Sequence, residues 1–242
     1  MPVLVVIPAR LGSTRLPRKL LQPLGGVPLI VRVAERIHSF DIADRLIVAT
    51  DSPEIATVVE RAGFDAALTA ASHPSGTDRV HELASRPDFL EFDIIVNVQG
   101  DAPFLPAEAV AGAIERLESS EIGTAAVPLE PGDLEDPSCV KVTVDSNRRA
   151  LGFSRAPRGE GGGRSLRHLG VYAYRRAALA RMAGTAPAAN EQAEALEQLR
   201  ALNLGMTVGV AVLEGAAGPA VDTLPDLEAA RAHWTLLHEV TR

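Results

Sequence analysis

Val3-Leu-Val-Val-Ile7 runs straight into Pro8-Ala-Arg-Leu-Gly-Ser-Thr-Arg-Leu-Pro-Arg-Lys19, and this junction decides the fold. Five consecutive apolar residues suit a strand buried on both faces. The loop that leaves the strand carries Arg10, Arg15, Arg18 and Lys19, with Gly12, Ser13 and Thr14 between them. Glycine and hydroxyl residues let backbone N–H groups approach anionic oxygens, and the cations add charge and forked donors. Four cations on one strand-to-helix loop repel one another unless an anion joins them. A triphosphate meets that need. The loop lacks the G-x-x-x-x-G-K-[ST] pattern, so ATPase or kinase chemistry of that type is not indicated.

Outward from this junction the pattern repeats. Pro28–His38 spaces Ile30, Val33, Ala34 and Ile37 as a helix does. Leu46–Ala49 is a second buried strand. Ser52 caps a helix that opens on Pro53, buries Ile55, Val58 and Val59, and ends at Gly63. Ala66–Leu68 makes a short third strand, Ile94–Val98 the next strong one, and Pro106–Leu117 the next helix. Alternation of this kind predicts a parallel sheet with right-handed crossovers, a Rossmann-like α/β fold. Ligands then bind beyond the carboxyl ends of the strands, just after Ile7, Ala49 and Val98. From about Gly123 three β-rich runs follow with little helix between them: Val140–Val144, Leu151–Ser154 and Leu169–Tyr174. They predict mixed or antiparallel strands in a smaller lobe. Pro157–Gly163 holds four glycines and reads as a mobile loop that closes over a substrate. Glu191–Leu202 predicts a helix, Thr207–Leu213 a strand, and a helix closes the chain from about Pro225. One domain over 1–242 is expected, with a nucleotide half over about 1–122, a β-containing lobe over about 123–205 and a closing strand and helix over about 206–242.

Composition narrows the function. The net charge of −7 and pI near 5.4 disfavour a nucleic-acid partner. Cys139 stands alone in an apolar run, which excludes an internal disulfide and disfavours a cysteine metal site. No apolar run reaches the length of a membrane span, and the run near the N-terminus is too short for a secretion signal. A soluble, cytoplasmic protein is expected.

Three further segments carry chemistry. Asn97-Val-Gln-Gly-Asp101 ends a buried strand. Gly100 permits close backbone approach, and Asp101 is placed to hold a hard cation through oxygen. In Val221-Asp-Thr223, Asp222 alone would serve as a helix cap; paired with Asp101 it becomes a second carboxylate for Mg²⁺. His73-Pro-Ser-Gly-Thr-Asp-Arg79 precedes a helix start, with Ser75 or Thr77 as the cap. Ser75 and Arg79 there suit the carbonyl and ring nitrogen of a neutral base.

The blocks IPARLGSTRLPRKLL, ATD, HPSGTDR, VNVQGD, VKV, FSRA, RHLGVYAYR, LEQLR and VDT occur in the order seen in the 3-deoxy-manno-octulosonate cytidylyltransferases, a family this chain resembles from residue 3 to about 230. The resemblance implies a homodimeric, Mg²⁺-dependent enzyme that joins CTP to the sugar acid Kdo for lipopolysaccharide synthesis. It implies that Arg10, Arg15 and Lys19 grip the triphosphate within a CTP site that includes Pro8, Ala9, Ser13, Ser75, Gly76 and Arg79. Asp101 and Asp222 would hold Mg²⁺. Gln99, Arg155, His168, Tyr172, Glu197 and Gln198 would line the sugar-acid site, with His168, Arg155 or Arg164 offsetting the sugar carboxylate. Taken alone, His168 reads as a packed or surface histidine, and Glu197 and Gln198 as the solvated face of a helix. Where the family has a longer insertion after Phe153-Ser-Arg-Ala156, this chain has the short Pro157–Arg164. That difference keeps open a sialic-acid-like or amino-substituted substrate. A catalytically silent nucleotide-binding protein on the same fold is the other alternative.

Overall fold

The computed structural model describes residues 1–156, 163–215 and 217–239. The elements run β1 (Val3–Ala9), the hairpin β2 (Pro23–Leu24) and β3 (Val27–Pro28), α1 (Leu29–His38), β4 (Arg45–Thr50), α2 (Pro53–Arg61), β5 (Asp65–Leu68), α3 (Gly76–Ala84) and β6 (Ile94–Val98). Then follow α4 (Ala107–Glu115), β7 (Ile122–Val127), β8 (Lys141–Val144), β9 (Ala150–Ser154), β10 (Arg164–Arg175), α5 (Arg176–Ala183), α6 (Ala189–Glu194), α7 (Leu199–Asn203), β11 (Val208–Val212) and α8 (Leu224–Glu239). The architecture is mixed α/β with a mostly parallel central sheet.

The chain forms two compact units that are not contiguous in sequence. The first comprises Pro2–Glu91, Asn97–Leu105 and Gly218–Arg242; the second comprises Met1, Phe92–Val96 and Pro106–Ala217. Strand β6 contributes Ile94–Val96 to the second and Asn97–Val98 to the first.

In the first unit the strand order is β6-β1-β4-β5, and β1 pairs parallel with β4 from Leu4↔Arg45 to Ala9↔Thr50. Leu4, Val5, Val6 and Ile7 are fully buried, which is why this strand shows no alternation. Helix α1 buries Leu29, Ile30, Val31, Val33, Ala34 and Ile37. The expected helix start at Pro28 is its cap. Ser52 caps α2, its Oγ accepting from the Ile55 amide, and Pro53 takes the first helical position. The Ala49–Leu68 region thus follows the sequence pattern closely.

In the second unit the order is β11-β7-β10-β6, with β8 and β9 pairing antiparallel beside β10. All six residues of β7 are buried. This strand was not expected; its run Ile122-Gly-Thr-Ala-Ala-Val127 is short of the bulky β-formers that advertise a strand. Gly123 explains its place in the packing. A Cβ there would lie 1.8 Å from the Ala113 carbonyl oxygen of α4, so only glycine lets the helix sit this close. The three β-rich runs are antiparallel strands, and the last is the 12-residue β10. The helix expected over Glu191–Leu202 is instead two short helices. Ala195 adopts a left-handed conformation, φ 51°, and breaks it. The glycine-rich stretch expected to close over a substrate lies at 157–162 outside the described residues.

Candidate active site

The first unit gathers the basic loop and both aspartates. Lys19 Nζ donates to Asp101 Oδ2 at 2.5 Å and to Asp222 Oδ1 at 2.8 Å. Arg15 reaches the same Asp222 Oδ1 at 3.2 Å. Each residue arrives from a different segment: Lys19 from the loop after β1, Asp101 from the turn after β6, Asp222 from the approach to α8. The Val221 amide donates to the Asp101 carbonyl at 2.9 Å and so locks the last two segments together. Gly100 packs under the site, where a Cβ would meet Ile30 at 3.2 Å and the Pro8 carbonyl at 3.3 Å. Burial pushes the Lys19 ammonium pKa down, but the two carboxylates more than offset this and hold it above the usual lysine value.

Asp222 is not the cap of α8. The Thr223 hydroxyl fills that place, accepting from the Asp226 amide, while the Asp226 carboxylate accepts from the amides of Asp222 and Thr223. Asp222 is left to face Lys19. Arg10 and Arg15 are exposed and Ser13 half-buried. Arg18 turns away from this group and pairs with Glu54 of α2.

The pair Asp101 and Asp222 suits a hard divalent cation. Both are carboxylates, both point at one small volume, and each keeps partial exposure. Among the described residues no group of three or more His, Cys, Asp or Glu side chains converges as a metal cage. Such a cation would complete its shell with phosphate oxygens and water, as Mg²⁺ commonly does.

Beside this cluster lies α3. Ser75 caps it, its Oγ accepting from the Asp78 amide at 3.2 Å and donating to Asp78 Oδ2 at 2.6 Å. Gly76 opens the helix, with space for a Cβ only in contact with the Pro8 ring. Arg79 is 4% exposed; it donates to Thr69 Oγ1 at 2.5 Å and to Asp51 Oδ2 at 3.2 Å. The segment before α3 is tied down by Glu82, which accepts from the Ala70 amide at 2.8 Å, His73 at 2.5 Å and Arg86 at 2.7 Å. Desolvation works against the Glu82 carboxylate, but these hydrogen bonds outweigh it and lower its pKa to about 2. Gln99 is half-buried and donates to Asn97 Oδ1 at 3.3 Å.

The remaining expected residues belong to the second unit. His168 sits on β10 with its Nε2 2.9 Å from Thr124 Oγ1, and Thr124 in turn donates to the Val171 carbonyl at 2.6 Å. The imidazole is enclosed by the rings of Phe153 and Tyr172, whose centroids lie 5.2 and 5.3 Å away. Desolvation pushes its pKa down to about 3, so it is neutral at physiological pH. Tyr172 stacks with Tyr174 at 6.0 Å, and burial, with Tyr174 and Glu197 nearby, raises its pKa well above the usual phenol value. Glu197 is half-buried and Gln198 buried, so neither lies on a solvated helix face. Arg155 spends its guanidinium on the Glu194 and Pro137 carbonyls. Two residues not singled out are Asp51 and Thr124. Asp51 lies at the end of β4, one of the strand ends marked for ligands. Thr124 lies on β7, the strand that was not expected.

The sequence profile of the cytidylyltransferase family matches residues 4–208. The 3-deoxy-manno-octulosonate cytidylyltransferase of Gemmatimonas aurantiaca is 48% identical over 98% of this chain and 96% of its own length. The enzyme of the same name from Yersinia enterocolitica is 43% identical over 96% of this chain and 98% of its own. A solved structure of CMP:2-keto-3-deoxy-manno-octonic acid synthetase complexed with CTP superposes with a TM-score of 0.88 at 36% identity, covering 98% of this chain and all of that one.

Proposed function

The chain belongs to the 3-deoxy-manno-octulosonate cytidylyltransferase family, and from that premise we propose that it transfers CMP from CTP to the anomeric hydroxyl of Kdo and releases pyrophosphate. The observation that carries the chemistry is the meeting of Lys19, Arg15, Asp101 and Asp222 within hydrogen-bonding distance. Arg10, Arg15 and Lys19 bind the triphosphate, and Pro8, Ala9 and Ser13 present the backbone of the same loop to it. Charge develops on the pyrophosphate as it leaves, and these fixed cations offset it. Mg²⁺, held by Asp101 and Asp222, would supply Lewis-acid polarisation of the phosphate. Arg79 and Ser75 hold the cytosine through its ring nitrogen and carbonyl. Two of Arg79's five N–H groups are committed to Thr69 and Asp51.

The sugar acid falls to residues of the second unit. Glu197 and Gln198 take its hydroxyls, since a carboxylate and an amide together accept and donate. His168, held neutral and oriented by Thr124, serves as a hydrogen-bond partner to the sugar rather than a charge. Tyr172 completes the set. Most of the rate enhancement is then positioning and electrostatics. The reading also takes the enzyme to be a homodimer acting in the cytoplasm, on a pathway to lipopolysaccharide. No helix among the described residues is long and apolar enough to cross a membrane.

The short Pro157–Arg164 favours a second reading, in which another acidic sugar replaces Kdo. Pyrophosphate release measured with CTP, Mg²⁺ and a panel of sugar acids separates the two. Kdo is expected to give the highest kcat/KM. A preference for a sialic-acid-like or amino-substituted acid favours the second reading, and no release with any acid overturns both.

A further inference from the structure

Asp51 ends the run Ala49-Thr-Asp51 just beyond β4, and its two carboxylate oxygens have different employers. Oδ1 accepts from the backbone N–H of Leu11 at 3.3 Å, inside the basic loop between Arg10 and Arg15. Oδ2 accepts from Arg79 on α3 at 3.2 Å. The ion pair is enclosed, with side-chain exposures of 18% for Asp51 and 4% for Arg79. A desolvated carboxylate–guanidinium pair is strong and directional. Arg79 gains a second anchor in Thr69, whose amide is bonded to the Thr50 carbonyl at 2.8 Å and so is fixed to β4. The arginine fork thus has one orientation, set from β4. The path of the phosphate loop is set from the same carboxylate.

We propose that Asp51 is the positioning residue for nucleotide choice, joining the base-reading arginine and the triphosphate loop into one rigid piece. The inference rests on the reading of Arg79 as a contact to the base. Asp51 itself touches no nucleotide. It holds the remaining Arg79 donors toward adjacent acceptors, which cytosine offers at its ring nitrogen and carbonyl. Uracil presents a donor at that ring nitrogen. A donor facing a fixed donor leaves both unpaired in an enclosed place, a mismatch that discriminates strongly. A fork free to turn would evade the mismatch and accept both bases.

The test compares CTP with UTP at saturating sugar acid and Mg²⁺. Asp51→Asn keeps the shape and an acceptor for the Leu11 amide but removes the charge that holds Arg79. The ratio of kcat/KM for CTP over UTP is expected to fall at least about tenfold, while the Kd of tripolyphosphate, a probe without a base, stays within about twofold. Asp51→Ala removes both ties, so tripolyphosphate binding weakens as well. Thr69→Val leaves Asp51 in place and loosens only Arg79; a loss of about threefold or more in the ratio is expected, and it carries the test should Asp51→Asn not fold. Equal losses for CTP and UTP in Asp51→Asn, or an unchanged ratio in Thr69→Val, make Asp51 a purely structural residue and overturn the inference alone. A wild-type enzyme that uses UTP as readily as CTP overturns the Arg79 reading and the inference with it.

Discussion

Lys19 and Arg15, set against Asp101 and Asp222, make a site whose charges are balanced before any ligand arrives. Two carboxylates that close would otherwise repel, and the ammonium holds them in place. Replacing either by asparagine removes a charged oxygen from the proposed phosphoryl-transfer site. Asp101→Asn and Asp222→Asn are each expected to lower kcat by at least about 100-fold. The fold survives in both: Thr223, not Asp222, caps α8. Steady-state rates at saturating Mg²⁺, read beside thermal melts, check this; near-normal turnover in Asp222→Asn would return that residue to a structural role. His168 makes a different prediction. Its folded pKa is about 3, whereas the unfolded side chain titrates near 6.5. Between those values the unfolded chain binds the extra proton, so the stability present above about pH 6.5 is lost as the pH falls toward 3. Urea melts of His168→Gln at pH 7, 5 and 4 are expected to show a shallower acid decline than the wild type. Parallel declines would mean that the imidazole is not sequestered.

At the scale of elements, the strands and helices written as continuous periodic runs were legible: β1, α1, β4, α2, β6 and the capped start of α3. Their cores are made by near neighbours in sequence, and period alone locates them. The candidate residue Asp101 stands out in the sequence because a polar residue after a buried strand has little packing to do, and the structure brings it to Lys19. The misses have non-local causes. The Glu191–Leu202 pattern reads as one helix because nothing local shows that Glu191 turns inward. It is 5% exposed and meets the equally buried Arg200 at 2.5 Å, while Arg200 also donates to the Met182 and Thr185 carbonyls. The turn bearing Glu197 and Gln198 is strung between these two residues. Arg200→Met leaves a buried carboxylate unpaired and is expected to cost about 3–5 kcal/mol in denaturant melts. Adding Glu191→Leu should recover part of it, and no recovery would point to the carbonyl contacts instead. Glu82 performs a similar service for the segment before α3. Its folded pKa near 2 lies below the unfolded value, so its contribution is present above about pH 4.5 and is lost as the pH falls through 2. Glu82→Gln should destabilise by about 1 kcal/mol at pH 7, a partly exposed group being screened by solvent, and the gap should close in acid.

For the whole molecule, the change of pattern near Gly123 divides the sequence into a nucleotide half and a β-containing lobe, whereas each compact unit is assembled from separated stretches: Phe92–Val96 and Pro106–Ala217 fall together, and the chain from Gly218 joins the first unit, a non-local grouping that no local pattern marks. Chelation offers a molecule-wide check. With Lys19 and Arg15 already neutralising the aspartates, EDTA is expected to abolish turnover while leaving the melting temperature within a degree or so of the untreated enzyme. Turnover that persists in EDTA would remove Mg²⁺ from the reaction. CTP should raise the melting temperature with Mg²⁺ more than without it, by up to about 2.7 kcal/mol of stabilisation at a hundredfold excess over Kd. The bond from Lys19 to Asp222 spans 203 positions in the chain. A ribosome exposes the basic loop early and Asp101 midway, but the second carboxylate only near the finish. Once Asp101 has been made, the nascent polypeptide therefore carries every charged group of this cluster except its last anion. A message interrupted between Asp101 and Asp222 yields a chain that keeps the basic loop and the first carboxylate but lacks both the second and the closing segment from Gly218 that belongs to the same unit.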